Sequence, residues 1–322
     1  MRTEGSLSTR LLLTTGAMVG LTIVLSVAAT AWNAARRTEA DVMTLATEKA
    51  AGIARSAENQ ITEAVSAGAT LTASLSGLAV KRDTQRADVI EMIKAVPSAF
   101  PNVFGAWMCD LADRPAGELF KGTDGANDAG LFAPYWTKSA SGELSFTTFT
   151  VDQKAGWYAA PLAAQKSLIS EPYQSEQKDL ITSITVPMRL DGKIVGLAGV
   201  DIKLDKLASS LSAMRPFEGG RVMLLSNAGN WLVPPDADAL MKPYAGIGEA
   251  DVKAALADGK MRTVSGFDDG SVRIVYPFSA PGMNTTWAAV VEVPRAVFVD
   301  PIYASVFETL VSGLLVLAAA LA

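Results

Sequence analysis

The spacing of apolar residues changes character along this chain. Residues 11–32 (LLLTTGAMVGLTIVLSVAATAW) carry no charge. As a helix this run is about 33 Å long, enough to cross a hydrocarbon core. From 33 to 78 the apolar positions become periodic. Val42, Leu45, Ile53, Ala57, Ile61, Ala64, Leu71, Leu75 and Leu78 fall at spacings of three, four and their sums, which marks one face of a helix. Gly68 lies on the same stripe, where glycine costs about 1 kcal/mol against alanine. A helix of this length leaving a membrane span is a stalk. Its stripe is rich in small residues and suits packing on the chain's own sheets, on a second stalk, or on both.

From 103 to 204 the pattern is that of strands. Residues 103–108 are a short apolar run and 131–137 (LFAPYWT) an aromatic one. Runs at 180–188 and 193–202 flank Asp191-Gly192, a strong hairpin signal. Residues 204–214 follow as a short helix, ended by Pro216 and the pair Gly219-Gly220. A smaller unit repeats the theme from 221 to 295. Strands at 221–225 and 231–233 flank the turn NAGN, and strands at 263–267 and 272–278 flank Asp268-Asp269-Gly270. Between them, 250–257 has a helical pattern. A last strand at 286–293 leads through Pro294 toward TLVSGLLVLAAALA at 309–322, again uncharged.

Hairpins with helices between them predict an α+β fold with antiparallel sheets. The expected order is a cytoplasmic N-terminus (1–10), a first transmembrane helix (11–32), a stalk helix (33–80), a membrane-distal module (81–214) and a membrane-proximal module (215–298). The start of a second transmembrane helix (302–322) follows. Its apolar run is shorter than the roughly 20 residues of a full span, so the helix is expected to be truncated. The tripeptide ATA at 29–31 has the form of a signal cleavage site, but the run before it exceeds the usual apolar core of roughly 7–15 residues. The run is therefore taken as an anchor.

Composition narrows the function. The chain has 322 residues, 28 Lys+Arg against 33 Asp+Glu, no His and one Cys, with 49% hydrophobic residues. The length fits two domains. Without His there is no imidazole for acid–base catalysis or metal binding. A lone Cys109 excludes an internal disulfide and multi-Cys metal sites. No G-x-S-x-G nucleophile motif is present. An enzyme is therefore disfavoured, and no cofactor or metal is expected. The net charge of −5 argues against nucleic-acid binding. Asp110, Asp113, Asp124 and Asp128 lack the spacing of a calcium loop and suit a solvated one. A ligand-binding module remains, with a structural membrane protein as the other class.

Several stretches carry a resemblance. They are GLFAPYW at 130–136, GWY at 156–158 followed by Pro161, SEPY at 170–173, and ITS at 181–183 with Pro187. DGKIVGLAGVDI at 191–202, and SNAG at 226–229 with Pro235-Asp236, complete the set. In this order, between two apolar ends, the chain resembles the double-Cache sensor domain of bacterial methyl-accepting chemotaxis proteins, over about 33–298. The resemblance implies tandem PAS-like modules and a small-molecule pocket in the distal one. It further implies an inner-membrane homodimer with a periplasmic sensor, acting on cytoplasmic signalling proteins through an output domain beyond 322. A histidine kinase or diguanylate cyclase output is the other possibility.

In amino-acid-binding members an Arg two residues before the Trp-Tyr pair clamps the ligand carboxylate, and an Asp at the end of the Gly-Val-Asp strand pairs with the ammonium. Here Trp157-Tyr158 and Asp201 match, but the Arg position is Ala155. The bidentate fork an Arg provides is missing. The remaining set suits a cation. Trp107, Tyr135, Trp136, Trp157, Tyr158 and Tyr173 are candidate ring faces, and Asp201 the counter-charge. The expected ligand is an amine or quaternary ammonium compound, such as a betaine, choline or a biogenic amine. An amino-acid sensor with an atypical carboxylate site is the alternative. Asp201 has a competing role as a cap for the helix near Lys206. Glu171 is read as orienting the pocket strand, and Trp231 and Trp287 as core.

Overall fold

The computed structural model describes residues 7–81, 83–113, 119–279 and 285–321. The first element is a single helix, α1 (Leu7–Val80), 74 residues long. It holds the uncharged run and the stalk without a break. In the uncharged run Met18, Leu21, Val24, Leu25 and Trp32 are exposed. From Val42 onward one face is buried, through Ala46, Ala50, Ile53, Ala57, Ile61, Ala64, Leu71 and Leu75. Leu45 departs from the expected stripe and is 44% exposed. Alanines take the inward positions because the helix crosses the sheets closely. A Cβ placed on Gly68 would lie 3.4 Å from Val200 Cγ2.

Helix α2 (Arg86–Ala99) precedes the first strand and has no counterpart in the sequence pattern. Then follow β1 (Gly105–Asp110), β2 (Pro134–Lys138), β3 (Leu144–Thr148), helix α3 (Gly156–Ala164), β4 (Leu168–Ile169) and β5 (Tyr173–Gln174). The long hairpin of β6 (Leu180–Leu190) and β7 (Lys193–Lys203) completes the first sheet. Its order is β3-β2-β1-β7-β6-β4, with β5 also pairing β6, and every described pair is antiparallel. The hairpin turn has Asp191 at φ 51° and Gly192 at φ 78°. Two successive left-handed residues match the twist of the flanking strands, as the Asp-Gly signal requires.

Helix α4 (Leu204–Ser212) leaves β7 directly and has Lys203 as its N-cap. Asp201 therefore stays in the strand and caps no helix. The second sheet contains β8 (Val222–Leu225), β9 (Trp231–Val233), β10 (Arg262–Val264), β11 (Val272–Phe278) and β12 (Trp287–Val293), in the order β10-β11-β12-β8-β9. Helix α5 (Glu249–Asp258) covers one face. β12 runs through Pro294 into α6 (Arg295–Leu321), which packs on α1 so that a Cβ on Gly313 would lie 3.2 Å from Ile23. The second sheet thus lies next to the two apolar helices. Gly68, packed on the first sheet, is about 53 Å of helix beyond residue 33 at 1.5 Å per residue. The first sheet is the far one.

One apolar core joins α1 to the inner faces of both sheets, and Trp287 belongs to it. Trp231 packs on the other face of the second sheet, with Tyr244 and Leu256. Asp110 departs from the solvated reading: it is buried, 3.8 Å from the buried Arg86 guanidinium. Strand pairing draws it inward, because β1 is covered on both faces.

The tight crossing of α1 sets two stability expectations. At Gly68 an alanine methyl meets only ordinary contacts, so Gly68→Ala should gain the helix propensity of alanine, up to about 1 kcal/mol, and raise the Tm. Leu75 is fully buried, so Leu75→Ala should cost about 2–5 kcal/mol. Calorimetric unfolding checks both signs, and a lowered Tm for Gly68→Ala would contradict the packing described.

Candidate ligand-binding site

The register of the first sheet sets two adjacent rows on the face turned away from α1. In one row Tyr135, Trp107, Gly199 and Thr185 lie side by side on β2, β1, β7 and β6. In the next row stand Thr137, Gly105, Asp201 and Ser183. Each large ring has a glycine beside it. A Cβ on Gly199 would lie 2.6 Å from the Trp107 indole, and one on Gly105 would lie 2.6 Å from the Tyr135 ring. Those contacts are too short for any side chain, so the glycines are what allow the rings to lie across the sheet.

Segments outside the sheet close the site. Phe149 follows β3, Trp157 lies in the first turn of α3, and Tyr173 is on β5. Trp107 and Trp157 meet edge to face at 5.2 Å between centroids. Phe149 stands 5.7 Å from each of them and 6.0 Å from Tyr135. The cleft between these rings is lined by Trp107, Tyr135, Phe149, Trp157, Tyr173 and Ile181, with Thr150 and the turn at 175–177 at its edge. Its cavity volume is about 70 Å³, and its mouth is open to solvent. The rings stand close together, with room between them for only a small group unless the walls move apart.

Behind the rings lies Asp201, 2% exposed. Its Oδ1 accepts a hydrogen bond from Trp107 Nε1 at 3.1 Å and one from Ser183 Oγ at 2.5 Å. Ser183 Oγ in turn lies 2.7 Å from Tyr173 OH. Burial pushes the Asp201 carboxyl up to about 6, against the lowering pull of these hydrogen bonds. It is therefore mostly charged at neutral pH, and no Lys or Arg forms an ion pair with it among the described residues. Burial and the neighbouring Asp201 raise the Tyr135 phenol well above its usual range. Glu176 is on the rim, where its Oε1 accepts from Thr150 N at 3.0 Å. No Lys or Arg is among the lining residues.

The structure brings Trp107, Tyr135, Trp157 and Tyr173 together at the cleft, with Asp201 behind them. Trp136 is turned to the opposite face of β2. There its Nε1 donates to Ile90 O at 3.0 Å, and its ring packs on Phe146 and under Lys94. Strand alternation forces this, since neighbours on a strand cannot share a face. Tyr158 also lies outside the lining; its hydroxyl accepts from Ala112 N at 3.0 Å and ties α3 to the end of β1. Ala155 is the N-cap of α3 and is not within a strand. Glu171 departs from the expected pocket role, because its carboxylate engages the second module. Sequence reasoning missed Phe149, Ser183 and Glu176. Ser183 was findable, because it faces Asp201 across the β6–β7 hairpin whose turn the sequence announces.

Known proteins share this architecture. A family model described as "Methyl-accepting chemotaxis protein-like, first PDC sensor domain" matches residues 111–209. A solved structure titled "Methyl-accepting Chemotaxis protein X" is 35% identical, with a TM-score of 0.72, covering 80% of this chain and 100% of that one. The methyl-accepting chemotaxis protein TlpQ of Pseudomonas aeruginosa is 29% identical over 245 residues, 67% of this chain. The chain spans 34% of that relative's length. The ligand-binding domain of the Pseudomonas fluorescens chemoreceptor CtaA, in complex with L-isoleucine, shares the fold at 18% identity and a TM-score of 0.53, covering 82% of this chain and 98% of that one. Sensor domains of this kind are non-enzymatic, and they stand on the periplasmic side of the inner membrane. The long stalk helix, the two antiparallel sheets and these matches together place the chain in the methyl-accepting chemotaxis proteins, as the ligand-binding sensor region of that family.

Proposed function

We propose that the far module is the membrane-distal sensor of a chemoreceptor and binds a small cationic amine or quaternary ammonium compound. One observation carries this reading. The cleft is walled by aromatic rings, the Glu176 carboxylate is on its rim and that of Asp201 behind it, and no basic side chain lines it. Each ring over a cation contributes about 0.5–2 kcal/mol. The buried Asp201 supplies the opposite charge in a medium of low dielectric, where a charge counts for more. The bound cation would also offer Asp201 the opposite charge that no ion pair among the described residues gives it. A ligand carboxylate, by contrast, finds no Lys or Arg among the lining residues, and the position of the family's Arg fork is Ala155. The isoleucine held by CtaA keeps a free amino acid as the competing outcome, reached through the same ammonium.

In this reading the ligand favours one of two stalk arrangements, since a ligand that binds both equally shifts nothing. The signal passes along β12 into α6 and on to cytoplasmic signalling proteins, in a homodimer. An output region C-terminal to α6 accords with the greater length of the curated relative.

Titration calorimetry of the chain in lipid nanodiscs tests the ligand class. Saturable binding of choline, a betaine or a biogenic amine is expected. Binding of ordinary α-amino acids with no response to amines would overturn the assignment. Asp201→Asn should weaken amine binding about 10- to 100-fold, the scale of a charge-assisted contact, and Trp157→Ala about 2- to 30-fold. A Kd unchanged by either variant would place the ligand elsewhere.

Acidity gives a further expectation. Only ionised Asp201 attracts a cation, so the affinity should fall as pH drops through about 6, by about tenfold per unit below it. The stability effect has the opposite sign. The folded carboxyl holds its proton more tightly than the unfolded one, so this group favours folding at low pH and loses that contribution as pH rises through about 6. Calorimetric titrations between pH 5 and 8 check this, and an affinity flat across that range would contradict it.

A further inference from the structure

We propose that Glu171 is a positioning residue that carries the state of the cleft into the second module. The inference rests on the sensor reading above. Glu171 lies in the short link between β4 and β5, whose two ends are both fastened to Ser183. At one end Ser170 N donates to Ser183 O at 2.9 Å, and Ser183 N donates to Ser170 Oγ at 3.0 Å. At the other end Tyr173 OH lies 2.7 Å from Ser183 Oγ. Ser183 Oγ is the donor that holds Asp201. Any shift of Asp201 or Tyr173 on ligand binding therefore pulls on the segment that bears Glu171.

The Glu171 carboxylate points out of its own module. Its Oε2 accepts from Ser226 Oγ at 2.6 Å and from Asn230 Nδ2 at 3.3 Å, and its Oε1 accepts from Ala228 N at 3.0 Å. All three donors belong to the single turn between β8 and β9. No Lys or Arg forms an ion pair with Glu171 among the described residues. Both oxygens of an exposed carboxylate are thus engaged by one turn of another module, an arrangement that fixes position more than it adds stability. The same turn reaches the output strand. Asn227 Oδ1 accepts from Thr286 N at 3.1 Å, immediately before β12, and β12 continues into α6. Hydrogen bonds and the backbone between them therefore connect Asp201 through Ser183, the Ser170–Glu171 link and the 226–230 turn to the strand that enters the second apolar helix. Helix α4 also packs on both sheets, but no side chain of it bonds to Asp201 or Ser183 among the described residues.

Hydrogen–deuterium exchange on the 322-residue chain in nanodiscs tests this without a ligand. Asp201→Asn perturbs the cleft floor, and the peptide covering 286–293 reports on the output strand. Asp201→Asn is expected to change exchange there by about threefold or more in the native background, and to leave it unchanged in a Glu171→Ala background. Glu171→Gln keeps the shape of the side chain and guards against a folding artefact; it is expected to reduce the effect by about half. Equal changes with and without Glu171, no change in either, or full coupling in the Gln variant would each overturn the proposal. Because no ligand is added, loss of the amine assignment would leave this result standing, and the two readings fail separately.

Discussion

The cleft depends on the burial of one carboxylate. Asp201 lies almost wholly out of water, held by a hydroxyl and an indole N–H and, among the described residues, by no ion pair. Removing a charge from water is costly unless hydrogen bonds or an opposite charge compensate. Neutral donors compensate in part, and burial still pushes the carboxyl above the usual carboxylate range. In the proposed reading, this unbalanced charge is what a positive ligand meets. Trp107 has a double part in this, since its N–H steadies the carboxylate while its ring forms a wall of the cleft.

The rest of the first module serves to hold that arrangement. Antiparallel register sets Ser183 and Gly105 on either side of Asp201, and Trp107 beside Gly199. Small residues next to large ones let the rings lie flat enough to close over the charge. On the reverse face the stalk helix presses alanines and Gly68 against the same strands. The strands that carry the cleft are therefore also the strands that rest on the helix, and a change in one face is felt by the other because the interior is close-packed. Behind the sheet of the second module Trp231, Tyr244 and Leu256 pack into a core of their own. Its distinctive feature is the ion cluster on β12, where Glu292 lies between Arg221 at 2.8 Å and Arg273 at 3.0 Å, just before the strand enters α6.

Much of the fold was legible in the order of residues. The uncharged runs, the stripe from Val42 to Leu75 and the Asp191-Gly192 turn each follow from a local rule of period or backbone angle. Helices α2 and α3 were hidden because Pro97 and Pro161 stand inside them, where proline ordinarily argues for an end. Part of the site was legible as well, since Trp157 and Asp201 stand in recognisable stretches. Trp136 and Tyr158 were not separable from their neighbours by composition, because facing is a property of the strand's alternation and of the helix start, and both boundaries lay beyond the local pattern. Phe149, Glu176 and the outward turn of Glu171 depend on how distant segments fold back over the sheet, which no short-range spacing records.

The central claim is that a buried, ionised Asp201 is the group that recognises a cation. Carbon-13 spectroscopy of the chain labelled at its aspartate carboxyls, followed from pH 4 to 8 with and without saturating amine, observes that group directly. The account predicts an Asp201 midpoint near about 6 in the free chain, moving lower when the amine is bound. A midpoint in the ordinary range near about 4, or one that saturating amine leaves unmoved, would contradict it.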